Sequence, residues 1–255
     1  MGTLIDQTTL LGLALAFAAV AFIYASVGLG GGSTYTALLT IVGVDHLLVP
    51  GVSLALNLVV TFLGMINFHR GGHVSPRLVA PFLVTSLPCA WLGGSLRLPR
   101  DVFLWLLAAT LTLVLVRIYL LGDLRLRTTL TGRRRLVFSL GLGAVLGFVA
   151  GTVGIGGGIY LVPLLIMFGL ADEKRAAAAG AVFIWLNSAV GLAARWPQGR
   201  LEPQAILPLV AAVAVGGWLG SGLGSLRCAP RTIQRTLGLV VAVAVVVIAR
   251  RLSWP

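Results

Sequence analysis

Two glycine runs carry most of the chemistry this sequence offers. Val27-Gly28-Leu29-Gly30-Gly31-Gly32 and Val153-Gly154-Ile155-Gly156-Gly157-Gly158 each close a long apolar stretch, about half the chain apart. A glycine run inside an apolar segment breaks a helix and strips backbone N–H and C=O groups of their partners. Hydrocarbon cannot satisfy those groups, so they must face protein or a polar cavity. A helix restarting after each run presents free N–H groups and the positive end of its dipole. Two such ends around one cavity form an anion site that needs no intramembrane arginine. Gly28, Gly30, Gly31 and Gly32, with Gly154, Gly156, Gly157 and Gly158, are therefore the first candidate binding residues. Ser33 and Thr34 follow the first run, with hydroxyls placed to cap the helix or donate to a ligand. Ile159 and Tyr160 follow the second and lack a short capping side chain, so a pseudo-symmetric site is expected. The competing reading is close helix packing on small residues. Two matched copies, each before a segment too short to span, weigh against it. A nucleotide-cradling loop would need a Lys-Ser/Thr ending, which is missing.

Asn57 and Asn187 are amides inside apolar runs at corresponding places. Burying an amide in hydrocarbon is costly unless it is paired. They can donate to a bound oxyanion or hydrogen-bond across helices, and both readings stay open. Ser53, four residues before Asn57, and Trp185, two before Asn187, are placed to line the same cavity, although packing suits Trp185 better. His69, Arg70 and His73 share a loop with Gly71 and Gly72; an interfacial loop is favoured over an anion-attracting entrance. Gly216, Gly217, Gly220, Ser221 and Gly224 form a small-residue stripe suited to helix packing. The spans hold no nucleophile–base set, paired carboxylates or metal ligands, so neither an enzyme nor a cofactor is expected. The acidic residues lie mainly in ends and loops, which argues against a carboxylate relay for cations or protons.

These residues need a membrane scaffold. The chain is 58% hydrophobic and only 10% charged, which excludes an ordinary soluble domain. Apolar runs long enough to cross a bilayer recur roughly at Thr9–Val27, Leu47–Phe68, Leu78–Leu96, Val102–Leu121, Leu136–Val153, Ala176–Trp196, Ala205–Leu226 and Ile233–Arg251. Ser33–Val44 and Ile159–Leu170 are shorter, about 18 Å each as helix. The expected fold is an all-α integral membrane protein of eight long spans and two short segments. A barrel would need alternating polarity, which is absent. The first run lacks a positive n-region before it and reads as a retained helix, not a signal peptide. Cys89 and Cys228 support neither a disulfide framework nor a zinc site.

The duplication extends beyond the glycines. Trp91-Leu92-Gly93-Gly94 pairs with Trp218-Leu219-Gly220-Ser221, Pro76 and Pro81 with Pro203 and Pro208, and Asn57 with Asn187. Two homologous repeats follow, 9–121 and 136–251, joined by a basic linker at 122–135. The net charge of +12 is nearly all arginine between apolar runs, so it anchors loops at the cytoplasmic face and anionic lipid; nucleic acid is not expected. The linker arginines place that segment in the cytoplasm. If the short segments cross, the repeats are inverted; if they are re-entrant, the repeats are parallel. The charge bias hardly separates the two. Inversion is favoured because an odd-pass repeat builds a two-sided pathway around one central site.

At these motifs the sequence resembles the sulfite exporter TauE/SafE family of membrane transporters. The resemblance rests on the two glycine runs, Pro163-Leu164-Leu165, Phe68-His69-Arg70-Gly71-Gly72-His73-Val74, and Trp91–Gly94 with Trp218–Gly220. It implies a bacterial-type cytoplasmic membrane and transport of sulfite, a sulfonate or a related small sulfur anion. Where that family often has a Thr-Ser pair, this chain has Val52-Ser53 and Val182-Phe183. Its second loop, Trp196-Pro197-Gln198-Gly199-Arg200, lacks the histidine of the first. Repeat two is thus the less polar. The residues alone reach an anion transporter with a pseudo-symmetric midplane site; the sulfur comes from the resemblance. A passive anion channel and a non-transporting scaffold are the rival readings. A coupling ion and a homodimer are left open.

Overall fold

The structure, a computed structural model, describes residues 7–120, 131–198, 203–226 and 231–253. Cys228 and most of the basic linker lie outside the described residues. Among those described, ten α-helices follow in order. They are α1 Gln7–Ala25, α2 Gly32–Val42, α3 Val49–Arg70, α4 Pro76–Ser95, α5 Arg100–Tyr119, α6 Gly132–Val153, α7 Gly158–Met167, α8 Glu173–Arg195, α9 Pro203–Leu226 and α10 Arg231–Ser253. Five of them, α3, α4, α6, α8 and the 206–224 part of α9, are long and apolar enough to cross a membrane. The short helices α2 and α7 fall where the two short segments are expected from the sequence. One boundary differs: Arg133, Arg134 and Arg135 belong to α6 rather than to the linker. Arginine is a good helix former, so the helix extends outward to Gly132.

Glycine ladders set the closest packings. Along α6, Gly143, Gly147 and Gly151 face the carbonyls of Phe82, Ser86 and Ala90 on α4, where any added methyl would overlap. Along α9, Gly216 and Gly220 face those of Ala18 and Phe22 on α1, and Gly224 that of Ser26 just beyond it, in the same way. Glycines four apart lie on one helix face, and their missing side chains let backbones touch. In both pairs the contacts advance together, so α4 runs parallel to α6 and α1 to α9.

At the centre α3 packs on α8. Phe68 at the end of α3 meets Ala177 and Ala178 at the start of α8, while Leu54 near the start of α3 faces Gly191 towards the end of α8. The two helices are therefore antiparallel. α4 covers the other side of α8, α9 that of α3, and α5 packs on α10. The apolar core joins these layers, with Phe17 stacked at 4.8 Å on fully buried Tyr35.

Candidate functional site

Both breaks are built by left-handed glycines. Gly28 and Gly31 have φ of 73° and 88°, and Gly154, Gly156 and Gly157 have 83°, 81° and 71°. Side-chain-bearing residues rarely adopt such angles, which is why glycine stands there. Gly31 is the N-cap of α2 and Gly157 that of α7; neither helix start receives a side-chain cap. Of the two roles expected for Ser33 and Thr34, capping α2 or donating to a ligand, the first is not taken. Both hydroxyls instead meet Tyr24 Oη, at 3.4 and 3.1 Å. The capping side chain belongs to the non-helical N-cap residue, and that place is held by Gly31, which has none.

The backbone N–H groups of Gly30, Gly31, Gly32 and Ser33 donate no hydrogen bond among the described residues. The same holds for Ile155, Gly156, Gly157 and Ile159. Buried N–H groups are normally paired, so two sets of orphan donors stand out.

Asn57 joins the two breaks. Its side chain is fully buried on α3, and Nδ2 donates to the Gly154 carbonyl at 3.3 Å while Oδ1 has no partner. Gly30 and Gly32 approach the same amide so closely that a methyl on either would overlap it, and one on Gly156 would lie 3.1 Å from Nδ2. Ser53, one turn earlier, reaches the carbonyls of Gly154 at 2.9 Å and Gly32 at 3.2 Å and also meets Thr36 Oγ1 at 3.0 Å. The breaks also lean on each other's long helices. Gly28 packs against Ala177 of α8, and a methyl on Gly154 would stand 2.7 Å from Pro50 Cα of α3. The resulting site is neutral, built from hydroxyls, one amide and backbone dipoles.

The remaining candidates are less central. Asn187 is fully buried, but its Nδ2 donates to Ser86 Oγ on α4 at 3.1 Å and to the Phe183 carbonyl at 2.8 Å. The bond to Ser86 crosses between helices, and Oδ1, like that of Asn57, has no partner among the described residues. Trp185 is half-buried and stacks on Phe62 at 6.0 Å. Gly158 faces Ile184, and Ile159 is buried in the core. Tyr160 donates its hydroxyl to the Thr110 carbonyl on α5.

Arg195, at the end of the Ala176–Trp196 run, is not among the candidate site residues read from the sequence. It ends α8 with only 7% exposure, and Nη2 donates to the carbonyls of Gly151 and Thr152 at 2.8 and 2.9 Å. It thereby caps the C-terminal turn of α6, immediately before the second break, where a cation suits the dipole. Its Nε is buried without a partner. The available signal was its spacing of four from Gly191, on the face of α8 turned to α6.

Comparison with known proteins places this architecture. The sulfite exporter TauE/SafE family matches residues 13–248, almost the whole chain. The chain belongs to that family. It is accordingly a multi-pass membrane transporter and not an enzyme. A probable membrane transporter protein of Sinorhizobium fredii, y4hK, is 32% identical over 97% of this chain and 100% of its own length. Another of Bacillus subtilis, YjnA, is 26% identical over 85% of this chain and 91% of its own. No solved structure matches the transporter.

Proposed function

We propose that the transporter is a carrier exporting a small sulfur-containing anion, sulfite or an organosulfonate, held where the two breaks meet. One observation carries the reading: two helix breaks, with eight orphan N–H groups between them, meet at the buried Asn57 amide, which Gly30, Gly32 and Gly156 approach closely. An oxyanion accepts hydrogen bonds at several oxygens, and such donors supply them without a fixed counter-charge that would trap it. Gly30–Thr34 and Gly156–Tyr160 contribute backbone, and Ser53 and Asn57 contribute side chains. Asn57 binds through Nδ2, exchanging the Gly154 carbonyl for the anion. The sulfur identity rests on the family and on nothing in the geometry.

Two inverted repeats, 9–121 and 136–251, form the carrier on this reading. The antiparallel α3 and α8, and the exchanged partners α4 with α6 and α9 with α1, support the inversion. A two-sided scaffold around a central site suits alternating access. The arginines at the end of α3 and at the starts of α4, α6 and α8 then mark the cytoplasmic side.

The test is sulfite flux through proteoliposomes holding wild type, Asn57→Ala or Gly157→Leu. Saturable flux with counterflow, lost in both variants, is expected. Conductance far above carrier turnover would make the protein a channel. Absence of flux for sulfite, thiosulfate and taurine from folded, inserted protein would remove the substrate class.

A further inference from the structure

A polar cavity lies away from the breaks, where α4 and α6 begin beside the α7–α8 connection. It encloses about 330 Å³ and is lined by Arg77, Arg135 and Arg175, with Ser75 and Ser139 among its polar residues. Among the described residues no carboxylate lines it. Asp172 lies 3.5 Å from Arg175 and takes part of that charge. Arg77 and Arg135 have no ion-pair partner among the described residues.

Two further observations point to a ligand. Ser139 is fully buried and its Oγ has no hydrogen-bond partner, although it lines the cavity one turn after Arg135 on α6. A buried hydroxyl left unpaired costs stability unless something visits it. Ser75 and Thr131, the N-caps of α4 and α6, are both extended and neither side chain caps its helix. Two long helices therefore open towards the cavity with uncompensated positive ends. Leu78, Leu136 and Leu170 supply an apolar wall.

We propose that this cavity is a binding site for a phosphate group, separate from the transport site. Guanidiniums take phosphate oxygens through paired N–H donors, helix starts add backbone donors, and the Ser139 hydroxyl completes the shell. Its chemistry fits two sources: the headgroup of an anionic phospholipid, whose glycerol would lie along the leucines, or free phosphate. The inference does not depend on the identity of the transported anion.

Thermal unfolding of the full chain tests it, first in phosphatidylcholine nanodiscs without added ligand. Inorganic phosphate, and separately phosphatidylglycerol mixed into the discs, are then titrated. The variants are Arg77→Gln/Arg135→Gln and Ser139→Ala. Arg134→Gln serves as control, because it removes one charge from the same turn of α6 outside the cavity. Wild type and the control should rise in Tm with one or both probes. The double variant should need about tenfold more probe for the same rise, as expected for lost charge-assisted bonds. Ser139→Ala breaks no bond in the empty site, so it keeps the unliganded Tm while losing part of the shift. A rise with phosphatidylglycerol alone assigns the headgroup, and a rise with phosphate alone the free ion. No rise with either probe, or equal rises in wild type and both cavity variants, would overturn the proposal.

Discussion

The two helix breaks share a backbone path and little else. Both use left-handed glycines, both start an uncapped helix, and each packs on the long helix that follows the other break. Their polar equipment differs. The first is surrounded by Tyr24, Ser33, Thr34 and Thr36, while the second is flanked by Ile155 and Ile159. Asn57 crosses to the Gly154 carbonyl, whereas Asn187 spends its amide on Ser86 and its own helix. The bracing differs too. Arg195 caps α6 ahead of the second break, while around the first ladder a neutral bond from Asn67 to Ser221 joins α3 to α9 at 2.8 Å. Both breaks thus offer unpaired backbone donors, and on the proposed reading side-chain recognition is drawn from the first half.

The largest expected effect separates backbone strain from steric overlap. Gly28→Ala and Gly154→Ala combine positive φ with collision against the backbone of Ala177 or Pro50. Each should cost more than about 4 kcal/mol, enough to remove the monodisperse peak in detergent size exclusion. Gly43 has φ of 90° with nothing near its missing side chain, so Gly43→Ala should cost only about 1–2 kcal/mol and keep that peak. Equal behaviour of the three would mean that the breaks do not interlock with α3 and α8.

The asparagines come next. Asn57→Ala should lower sulfite flux per folded molecule by about tenfold or more, the equivalent of one lost charge-assisted bond. Asn187→Ala loses a bond to α4 and should lower Tm, with a cost of about 1 kcal/mol typical of helix–helix bonds in membranes. If Asn187→Ala cuts flux as deeply as Asn57→Ala at matched protein, recognition is two-sided and the asymmetry drawn above is wrong.

The sequence revealed the helix order and the glycine breaks, because apolar runs and glycine clusters are local signals. It also brought Asn57 forward through its counterpart Asn187, and Ser53 through its place one turn before Asn57. It could not separate Asn57 from Asn187, since only packing decides which amide meets a break and which meets Ser86. Arg195 was hidden for a related reason. An arginine at the end of an apolar run reads as an interfacial charge, and only packing brings it to the carbonyls of Gly151 and Thr152. The caps were misread at Ser33 and Thr34 because the left-handed Gly31 shifts the helix start by a residue or two, a distance that residue type does not report.

Bracing gives a smaller pair of effects. Arg195→Met removes two bonds to backbone carbonyls but also relieves an incompletely paired buried cation, so its net cost should stay near 1–3 kcal/mol. Asn67→Ala, losing one neutral bond, should cost about 1 kcal/mol. Denaturation midpoints in matched detergent would rank them. A ranking reversed, with Asn67 the more costly, would show that the second break needs no cation behind it.

The smallest effect concerns the hydroxyl cluster. Tyr24→Phe leaves Ser33 and Thr34 without their shared partner, yet both hydroxyls can turn to backbone carbonyls within their own helix. The stability cost should therefore be at most about 1 kcal/mol. Flux is the sharper readout. If Ser33 and Thr34 become free to donate to the anion once Tyr24 is removed, apparent affinity for sulfite rises slightly while the maximal rate falls. If instead Tyr24 holds the first turn of α2 in the binding geometry, affinity falls with little change in rate. The sign of the KM change thus decides whether the first break is tuned by its hydroxyls or merely positioned by them, a choice the isoleucines of the second break never face.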